Sequence, residues 1–216
     1  MQKAQQQQER QPIAFVLDDD LEVRDGLSNL LRSVDIAVQT FGSTEDFLGT
    51  NKPDVPACLI LDVRLPGTSG LDFQQELTRL GVCMPIIFIT GHADVPMSVQ
   101  AMKAGAVEFL CKPFREEDLL RAVRSALKKD SLQREKSSAL SALRTTFMSL
   151  TPREQEVMTY IVSGLMNKQI AGQLRLSEIT VKVHRASIMR KMNAKSLAEL
   201  VRQADALELA KPALQT

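Results

Sequence analysis

Cysteine is scarce in this chain, which contains Cys58, Cys83 and Cys111. An odd number of cysteines in unrelated contexts suggests neither a disulfide framework nor a metal site. Each cysteine stands beside apolar residues, so we expect all three to be buried small hydrophobic side chains.

Long apolar runs are also absent, and none approaches the ~18 consecutive residues of a membrane span. The opening segment, MQKAQQQQERQ, lacks the apolar stretch of a secretory signal. We therefore expect a cytoplasmic protein without membrane contact. The same glutamine-rich segment cannot bury a core, which predicts a disordered tail over residues 1–11.

Charge is divided unevenly along the chain. Residues 1–130 carry 14 Lys and Arg against 19 Asp and Glu, whereas residues 131–216 carry 13 against 7. A basic second half suits a polyanionic partner, and an acidic first half suits a cation such as a metal ion. Chance alone could also produce this asymmetry.

Short apolar runs alternate with amphipathic, helix-length segments from Ile13 onward. The runs cover residues 13–17, 36–41, 57–61, 85–90 and 106–110. Helices are predicted up to Val34, after Ser43, near 70–80, near 94–104 and from Arg115. This alternation is typical of βαβ units and predicts a flavodoxin-like, doubly wound, five-stranded parallel sheet buried on both faces.

The second half of the chain has a helical period throughout. Helix starts are marked at Thr151-Pro152, Asn167, Ser177 and Ser196, and the first and last of these have the pattern of capping boxes. The stretch before these helices, from Glu116 to about Arg144, contains no proline or glycine and can continue as a helix. We predict an α/β domain over 12–128, a helical linker over 129–146 and a small all-α helix-turn-helix domain over 147–216.

Reactive side chains follow the apolar runs, where ligands bind in open parallel sheets. Asp18 and Asp19 come after the first run, Asp62 after the third, Thr90 ends the fourth and Lys112 follows the fifth. Converging carboxylates repel one another unless a hard cation such as Mg²⁺ is present. A carboxylate beside such a cation, a lysine and a hydroxyl can attack an activated phosphoryl group, so Asp62 is the candidate nucleophile.

These residues, in this order, resemble the receiver family of response regulators, as do the spacing to Arg24 and the loop LDVRLPGTSG. The resemblance implies that Asp18, Asp19 and Asp62 hold Mg²⁺ or Mn²⁺. The backbone carbonyl of Arg64 would complete the metal shell. Asp62 would accept a phosphoryl group from a sensor histidine kinase.

The resemblance also implies a phosphate-sensing set and a switch. Thr90 and Lys112 would bind the phosphoryl oxygens, and Phe109 would move when Thr90 is drawn inward. We expect Asp20 to cap the following helix. We assign no catalytic role to His92, because the sequence shows no residue that would orient its ring.

The stretch from Leu150 to Met192 has the pattern of a helix-turn-helix. In its last helix, Val181, Ile188 and Met192 share one side, which should pack on the core. The opposite side carries small and polar residues that suit a major groove. These residues are Lys182, Val183, Ala186, Ser187 and Arg190.

The segments MNKQIA and TVKVHR resemble the LuxR-type effector domain, and the chain as a whole resembles the FixJ/NarL class. The resemblance implies that Lys182 and Val183 face base edges, and that Ala186 stands at a DNA-facing position where some members carry a lysine. It further implies backbone contacts from Lys168, Arg185, Arg190 and Lys191. A solvated helix face remains the alternative for Lys168, Arg190 and Lys191, and simple packing remains the alternative for Val183.

The last predicted helix, 196–209, carries more apolar residues than we expect a four-helix domain to need, and the resemblance implies that it forms a dimer contact. Its apolar residues are Leu197, Leu200, Val201, Ala204 and Leu207. The partners implied are double-stranded DNA, a sensor histidine kinase, a second copy of the chain on activation, and RNA polymerase.

The sequence therefore predicts a phosphorylation-switched transcription regulator that is not an enzyme. Two alternatives stay open. A Mg²⁺-dependent phosphatase also uses an aspartyl nucleophile, although Arg64 stands where a second acid is expected. A DNA-binding module that dimerises without phosphate is the other.

Overall fold

The computed structural model describes residues 11–91 and 95–209, so residues 1–10 of the predicted tail and His92 lie outside the described residues. The described residues form two compact units, which divide between Arg134 and Glu135. Gln11, which the sequence pattern assigns to the tail, belongs to the described structure. Its side-chain amide donates a hydrogen bond to the carbonyl of Asp35 at 2.9 Å.

The first unit contains a five-stranded parallel sheet with the strand order β2-β1-β3-β6-β7. Its strands are β1 (Ile13–Leu17), β2 (Ala37–Phe41), β3 (Ala57–Asp62), β6 (Ile86–Thr90) and β7 (Glu108–Cys111). The helices of this unit are α1 (Leu21–Arg32), α2 (Thr44–Gly49), α3 (Gly70–Arg79), α4 (Val95–Lys103) and the first part of α5 (Glu116–Met148). The predicted flavodoxin-like fold is confirmed, because this order is that of a doubly wound sheet.

Both faces of the sheet are buried, as the uninterrupted apolar runs indicate. Phe15 and Leu17 of β1 face a core that includes Phe47 of α2 and Phe73 of α3. On the opposite face, strand residues such as Val16 pack with apolar side chains of α1 and α5. Alternate residues of one strand thus enter two separate cores, which leaves no polar face along the central strands.

A two-stranded antiparallel hairpin follows β3, and the sequence pattern did not predict it. Its strands are β4 (Arg64–Leu65) and β5 (Thr68–Ser69), with Gly67 at a φ of +81° in the turn. The N–H of Gly70 donates to the carbonyl of Val63 at 2.8 Å. A Cβ at Gly70 would lie 2.3 Å from the backbone oxygen of Asp62, so this close approach requires glycine.

Two of the three cysteines contradict the prediction that all are buried. Cys58 on β3 is fully buried, and burial raises the pKa of its thiol to about 12. Cys83 and Cys111 are exposed. Cys83 lies in the loop before β6, and Cys111 ends β7, which is an edge strand and so has only one neighbouring strand.

Helix α5 begins in the first unit and ends in the second, so the predicted linker segment 129–146 lies within a helix. The second unit continues with α6 (Pro152–Val162), α7 (Asn167–Leu174), α8 (Glu178–Lys191) and α9 (Leu197–Ala206). These helices surround one apolar core. In the part of the chain that the structure describes, no helix is long and apolar enough to cross a membrane.

Helix caps agree with the sequence signals, with one exception. Asp20 accepts hydrogen bonds from the N–H groups of Glu22 and Val23, which confirms its predicted capping role. Thr151 and Glu154 form the predicted reciprocal capping box.

The exception is the last helix, where the predicted capping box is only half formed. Ser196 accepts from the N–H of Glu199, but the Glu199 carboxylate accepts from the N–H of Lys195 instead of Ser196. The amide that the carboxylate reaches is therefore one residue earlier than the box pattern requires.

The prediction that α9 has surplus apolar surface is wrong for most of its residues. Leu200 and Ala204 are buried in the core of the second unit, and Val201 and Leu207 are half-buried against it. Leu197, at 40% exposed, is the residue of this set that remains largely at the surface. A small helical domain needs these side chains to complete its own core.

Phe47 should contribute strongly to the stability of the first unit, because it is fully buried and its ring contacts those of Phe15, Phe41 and Phe73 at centroid distances of 5.7, 5.3 and 5.9 Å. We expect Phe47→Ala to lower the free energy of unfolding by about 3–5 kcal/mol. Urea denaturation followed by circular dichroism measures this loss. Leu48→Ala, at the half-buried neighbour, should lower the free energy of unfolding clearly less. Equal losses in the two variants would contradict the special contribution of Phe47.

Candidate functional site

The carboxyl ends of the parallel strands bring the predicted reactive side chains together. Asp18 and Asp19 follow β1, Asp62 ends β3, Thr90 ends β6 and Lys112 follows β7. Since β1 and β3 are neighbours in the sheet, their terminal carboxylates meet at one edge. We call Asp18, Asp19, Asp62 and Lys112 the acidic pocket.

The three carboxylates of the acidic pocket can supply ligands to one cation. One oxygen atom from each of Asp18, Asp19 and Asp62 lies within 4.8 Å of the other two. Oδ1 of Asp62 is buried and has no hydrogen-bond partner among the described residues. A buried oxygen without a donor, beside two further carboxylates, fits a hard cation with oxygen ligands such as Mg²⁺.

Two cationic side chains contact the residues that carry the carboxylates of the acidic pocket. The ammonium of Lys112 lies 2.6 Å from Oδ2 of Asp18 and 3.8 Å from Oδ2 of Asp62. The guanidinium of Arg24 donates to the backbone carbonyls of Asp18 at 2.6 Å and Asp19 at 2.9 Å. Arg24 therefore fixes the loop that carries the acids, while Lys112 offsets part of their charge.

Burial raises the pKa of Asp62, and the negative charge of Asp18 raises it further. The positive charge of Lys112 lowers this pKa, as do smaller contributions from the backbone N–H groups of Arg64 and Val63, which do not amount to a hydrogen bond to Oδ1. The pocket alone thus compensates the ionised form of Asp62 incompletely. A bound cation would favour the ionised carboxylate, which is the nucleophilic form.

The proposed sensing and switch residues lie along β6 and β7. Thr90 is fully buried, and its carbonyl accepts from the N–H of Lys112 at 2.7 Å. Phe109 is half-buried, and its ring lies 6.3 Å from that of Phe88. Arg64, which begins β4 two residues after Asp62, has an exposed side chain. The hairpin therefore places the backbone of Arg64 next to Asp62.

Helix α8 of the second unit has the two faces that the sequence pattern predicts. Val181, Ile188 and Met192 are buried in the core, as predicted. Lys182, Val183, Ala186 and Arg190 are exposed, as are the remaining candidate Lys168 on α7 and the acid Glu178. Lys182 lies 3.7 Å from Glu178 in an exposed i,i+4 pair, which contributes little to stability.

An exposed apolar pair begins α8, and sequence reasoning identified only one of its members. Val183 is 63% exposed, and Ile179, one helical turn earlier, is 75% exposed. The exposure of Val183 argues against its alternative role in packing. The spacing of four residues was the signal that could have identified Ile179 as part of the same face.

A buried carboxylate connects α6 to α8. Glu154 is 5% exposed and accepts hydrogen bonds from the hydroxyl of Ser187 and the ammonium of Lys191, both at 2.7 Å. It also accepts from the N–H of Thr151 at 2.8 Å. The bond from Lys191, followed by that from Ser187, lowers the pKa of Glu154 to about 2.

Lys191 and Ser187 differ from the other candidates on α8 because their side chains bond to Glu154. Sequence reasoning assigned Lys191 to the DNA backbone and Ser187 to the groove-facing side, but both side chains bond within the unit. Arg185 is half-buried and donates to the side-chain oxygen of Asn167 at 3.4 Å. Among the candidate DNA-contacting residues, the exposed cations are therefore Lys168, Lys182 and Arg190, whereas Lys191 and Arg185 have internal partners.

Two family models match the chain. The response regulator receiver domain matches residues 14–124, and the luxR family of bacterial regulatory proteins matches residues 148–204. Nodulation protein W of Bradyrhizobium diazoefficiens is 53% identical over 90% of this chain and 86% of its own length. Response regulator protein TodT of Pseudomonas putida strain F1 is 48% identical over 93% of this chain and 88% of its own.

Solved structures show the same similarity. The response regulator StyR is 49% identical and matches with a TM-score of 0.80 over 90% of this chain and 98% of its own. Full-length FixJ from B. japonicum is 36% identical and matches with a TM-score of 0.54 over 93% of this chain and 99% of its own. Both chains are similar to this one along nearly their whole length.

The pKa of Glu154 predicts an acid-sensitive second unit. Because this pKa is lowered on folding, the carboxylate stabilises the unit above its ordinary pKa of 4.5, and that stability is lost as the pH falls toward about 2. Glu154→Gln should flatten this dependence and cost about 1–3 kcal/mol at neutral pH. Hydrogen exchange of the α8 amides at several pH values measures both effects.

Glu156→Gln is the matched control for this substitution. Glu156 lies on the same helix, but it is exposed and pairs with Arg153 at the surface. The control should retain the acid dependence of the unmodified chain. Loss of that dependence in both variants would show that Glu154 is not its source.

The acidic pocket predicts stabilisation by Mg²⁺. A cation that binds the folded state adds ~2.7 kcal/mol at one hundred times its dissociation constant, which raises the melting temperature by several degrees. Asp62→Asn should raise the melting temperature in metal-free buffer, because it removes a buried charge, and should abolish most of the response to Mg²⁺.

Asp20→Asn removes a neighbouring charge from outside the cluster, and asparagine is an equally good helix cap. This control should therefore keep its Mg²⁺ response, as measured by differential scanning fluorimetry. An equal response in Asp62→Asn and the unmodified chain would be incompatible with a cation at Asp62.

Proposed function

The chain belongs to the response regulators that join a receiver domain to a LuxR-type DNA-binding domain, and we propose that phosphorylation of Asp62 controls its binding to DNA. It is a transcriptional response regulator of a two-component system. The observation that carries the proposal is the convergence of Asp18, Asp19, Asp62 and Lys112 at one end of the sheet.

Phosphoryl transfer at this pocket follows from its charges. A carboxylate oxygen of Asp62 forms a P–O bond while the P–N bond to a phosphohistidine of a sensor kinase breaks, and the leaving nitrogen keeps the electron pair. Lys112, 3.8 Å from Asp62, is within reach of the phosphoryl oxygens. A bound Mg²⁺ or Mn²⁺, held by Asp18, Asp19, Asp62 and the Arg64 carbonyl, would supply further neutralising charge.

The switch operates through Thr90 and Phe109. The phosphoryl group adds acceptor oxygens, and the hydroxyl of the buried Thr90 donates to one of them. Phe109, half-buried on the adjacent edge strand, then turns inward and changes the surface beside α4. Moving the active-to-inactive ratio from 1:99 to 99:1 requires ~5.5 kcal/mol, a scale that a few charge-assisted bonds supply.

Helix α8 reads DNA in this proposal. Lys182, Val183 and the exposed Ile179 face the base edges, with Ala186 allowing close approach of the groove. Lys168, Arg185 and Arg190 contact phosphates. Lys191 acts indirectly, since its bond to Glu154 sets the position of the helix.

The remaining partners follow from the function. Two activated copies bind half-sites of a near-palindrome, and the bound dimer contacts RNA polymerase. The chain acts in the cytoplasm, where the DNA of a bacterial cell lies. The family consists of transcriptional regulators, and an exposed Arg64 stands where a phosphatase of the aspartyl type needs an acid.

Phosphorylation at Asp62 is tested by incubating the chain with acetyl phosphate and Mg²⁺ and measuring intact mass. We expect the mass of one phosphoryl group to be gained by the unmodified chain and by Asp20→Asn, and not by Asp62→Ala. A gain that persists in Asp62→Ala would overturn the assignment. Sustained release of inorganic phosphate over many turnovers would instead favour a phosphatase.

DNA binding through α8 predicts a change in salt dependence. Arg190→Ala should weaken binding to a mixed-sequence duplex and reduce the slope of log K against log salt by about 0.9 for each phosphate that the arginine neutralises. Fluorescence anisotropy over a series of salt concentrations gives this slope. Arg144→Ala, at an exposed arginine on α5, is the control, and a slope unchanged in Arg190→Ala would exclude neutralisation of a phosphate by Arg190.

A further inference from the structure

A cavity of about 350 Å³ lies in the first unit, at the end of the sheet opposite the acidic pocket. Pro85 and Ile86 at the start of β6 line it, whereas Thr90 at the other end of β6 adjoins the acidic pocket. Ile86 and Thr90 are four residues apart on β6, a distance of ~13 Å at 3.3 Å per residue. A molecule in this cavity would therefore not contact Asp62.

The walls of the cavity combine a buried apolar floor with a polar rim. Leu77 and Ile86, which are 2% and 5% exposed, form part of the floor. Lys129 and Gln133 of α5 and the exposed thiol of Cys83 lie at the rim. The volume falls within the ~300–1,000 Å³ of small-molecule sites, which are likewise mostly apolar with a few polar groups.

One buried side chain at the cavity has an unsatisfied acceptor. Gln74 is 5% exposed, and its Nε2 donates to the carbonyl of Ala104 at 3.1 Å, which distinguishes the nitrogen of the amide from its oxygen. Its Oε1 is buried and has no hydrogen-bond partner among the described residues. A buried acceptor without a donor costs ~1–3 kcal/mol, and a small adjustment of the broad terminal torsion of glutamine would direct it to a donor in the cavity.

The buried charge at the cavity is already compensated. Asp130 is 3% exposed, and its Oδ2 accepts from the N–H of Ala57 at 2.9 Å and from Nε of Arg134 at 2.5 Å. An anionic ligand would be attracted by the exposed Lys129 at the rim but repelled by the carboxylate of Asp130, and a cationic ligand would compete with Arg134. The charge balance therefore favours an uncharged ligand.

We propose that this cavity binds a small, uncharged, mostly apolar molecule that has one N–H or O–H donor. The donor satisfies Oε1 of Gln74, and the apolar part contacts Leu77, Ile86 and the adaptable thioether of Met84. Such a ligand would connect α3 to residues 129–133 of α5, and it would stabilise the docking of that helix on the sheet.

Indole and benzofuran test this proposal, because they share one shape and only indole has a donor. The full chain is alkylated with iodoacetamide in the presence of either compound, and peptide mass spectrometry gives the rate at each cysteine. We expect indole to slow alkylation of Cys83 and to leave exposed Cys111 unaffected. Benzofuran should need a concentration roughly two- to tenfold higher, the value of one hydrogen bond.

Substitutions at neighbouring glutamines locate the donor contact. Gln74→Leu should remove the preference for indole, whereas Gln75→Leu, at the exposed next residue, should retain it. Asp62→Asn should also retain it, which separates this site from the phosphorylation proposal. No protection of Cys83 by indole, equal slowing of Cys83 and Cys111, or equal potency of the two compounds on the unmodified chain would each overturn the proposal.

Discussion

The crowding of like charge at the carboxyl end of the sheet is the constraint on which the function of this protein depends. The strand order places the acids after β1 beside the acid that ends β3, so the fold itself imposes their proximity. Lys112 bonds closely to Asp18 and only at longer range to Asp62. The carboxylate of Asp62 therefore remains incompletely compensated, and a bound cation or the proposed phosphoryl group would change the charge balance around it.

The buried carboxylate of the second unit, Glu154, has the opposite environment to that of Asp62, because its charge is compensated by several donors. Glu154 accepts from a lysine, a serine and a backbone N–H, so its ionised form is fully supported and its pKa is lowered, whereas burial raises the pKa of Asp62. A carboxylate with all its hydrogen bonds made has a fixed position, which suits the support of α8, the helix that we propose reads DNA. An unsaturated carboxylate gives reactivity, which suits a phosphoryl acceptor.

Local patterns made much of this architecture predictable. The central strands are nearly continuous apolar runs, and the residues of the acidic pocket end or immediately follow three strands of the sheet. The hairpin at 64–69 escaped prediction because two-residue strands show no period. The exposure of Cys111 depends on β7 being an edge strand, and the partners of Glu154 lie 33 and 37 residues away, so neither has a local signal. The buried residues of α9 show that apolar content alone cannot separate a core from an interface.

The close approach at Gly70 has a consequence for how this sequence can diverge. Ideal Cβ atoms at Gly26 and Gly49 would meet nothing within 4 Å, so drift to alanine at those positions is sterically open. At Gly70 the added carbon would collide with the backbone of Asp62, the proposed phosphoryl acceptor. A substitution at Gly70 would therefore be tolerated only if the hairpin and the end of β3 changed their backbone positions as well.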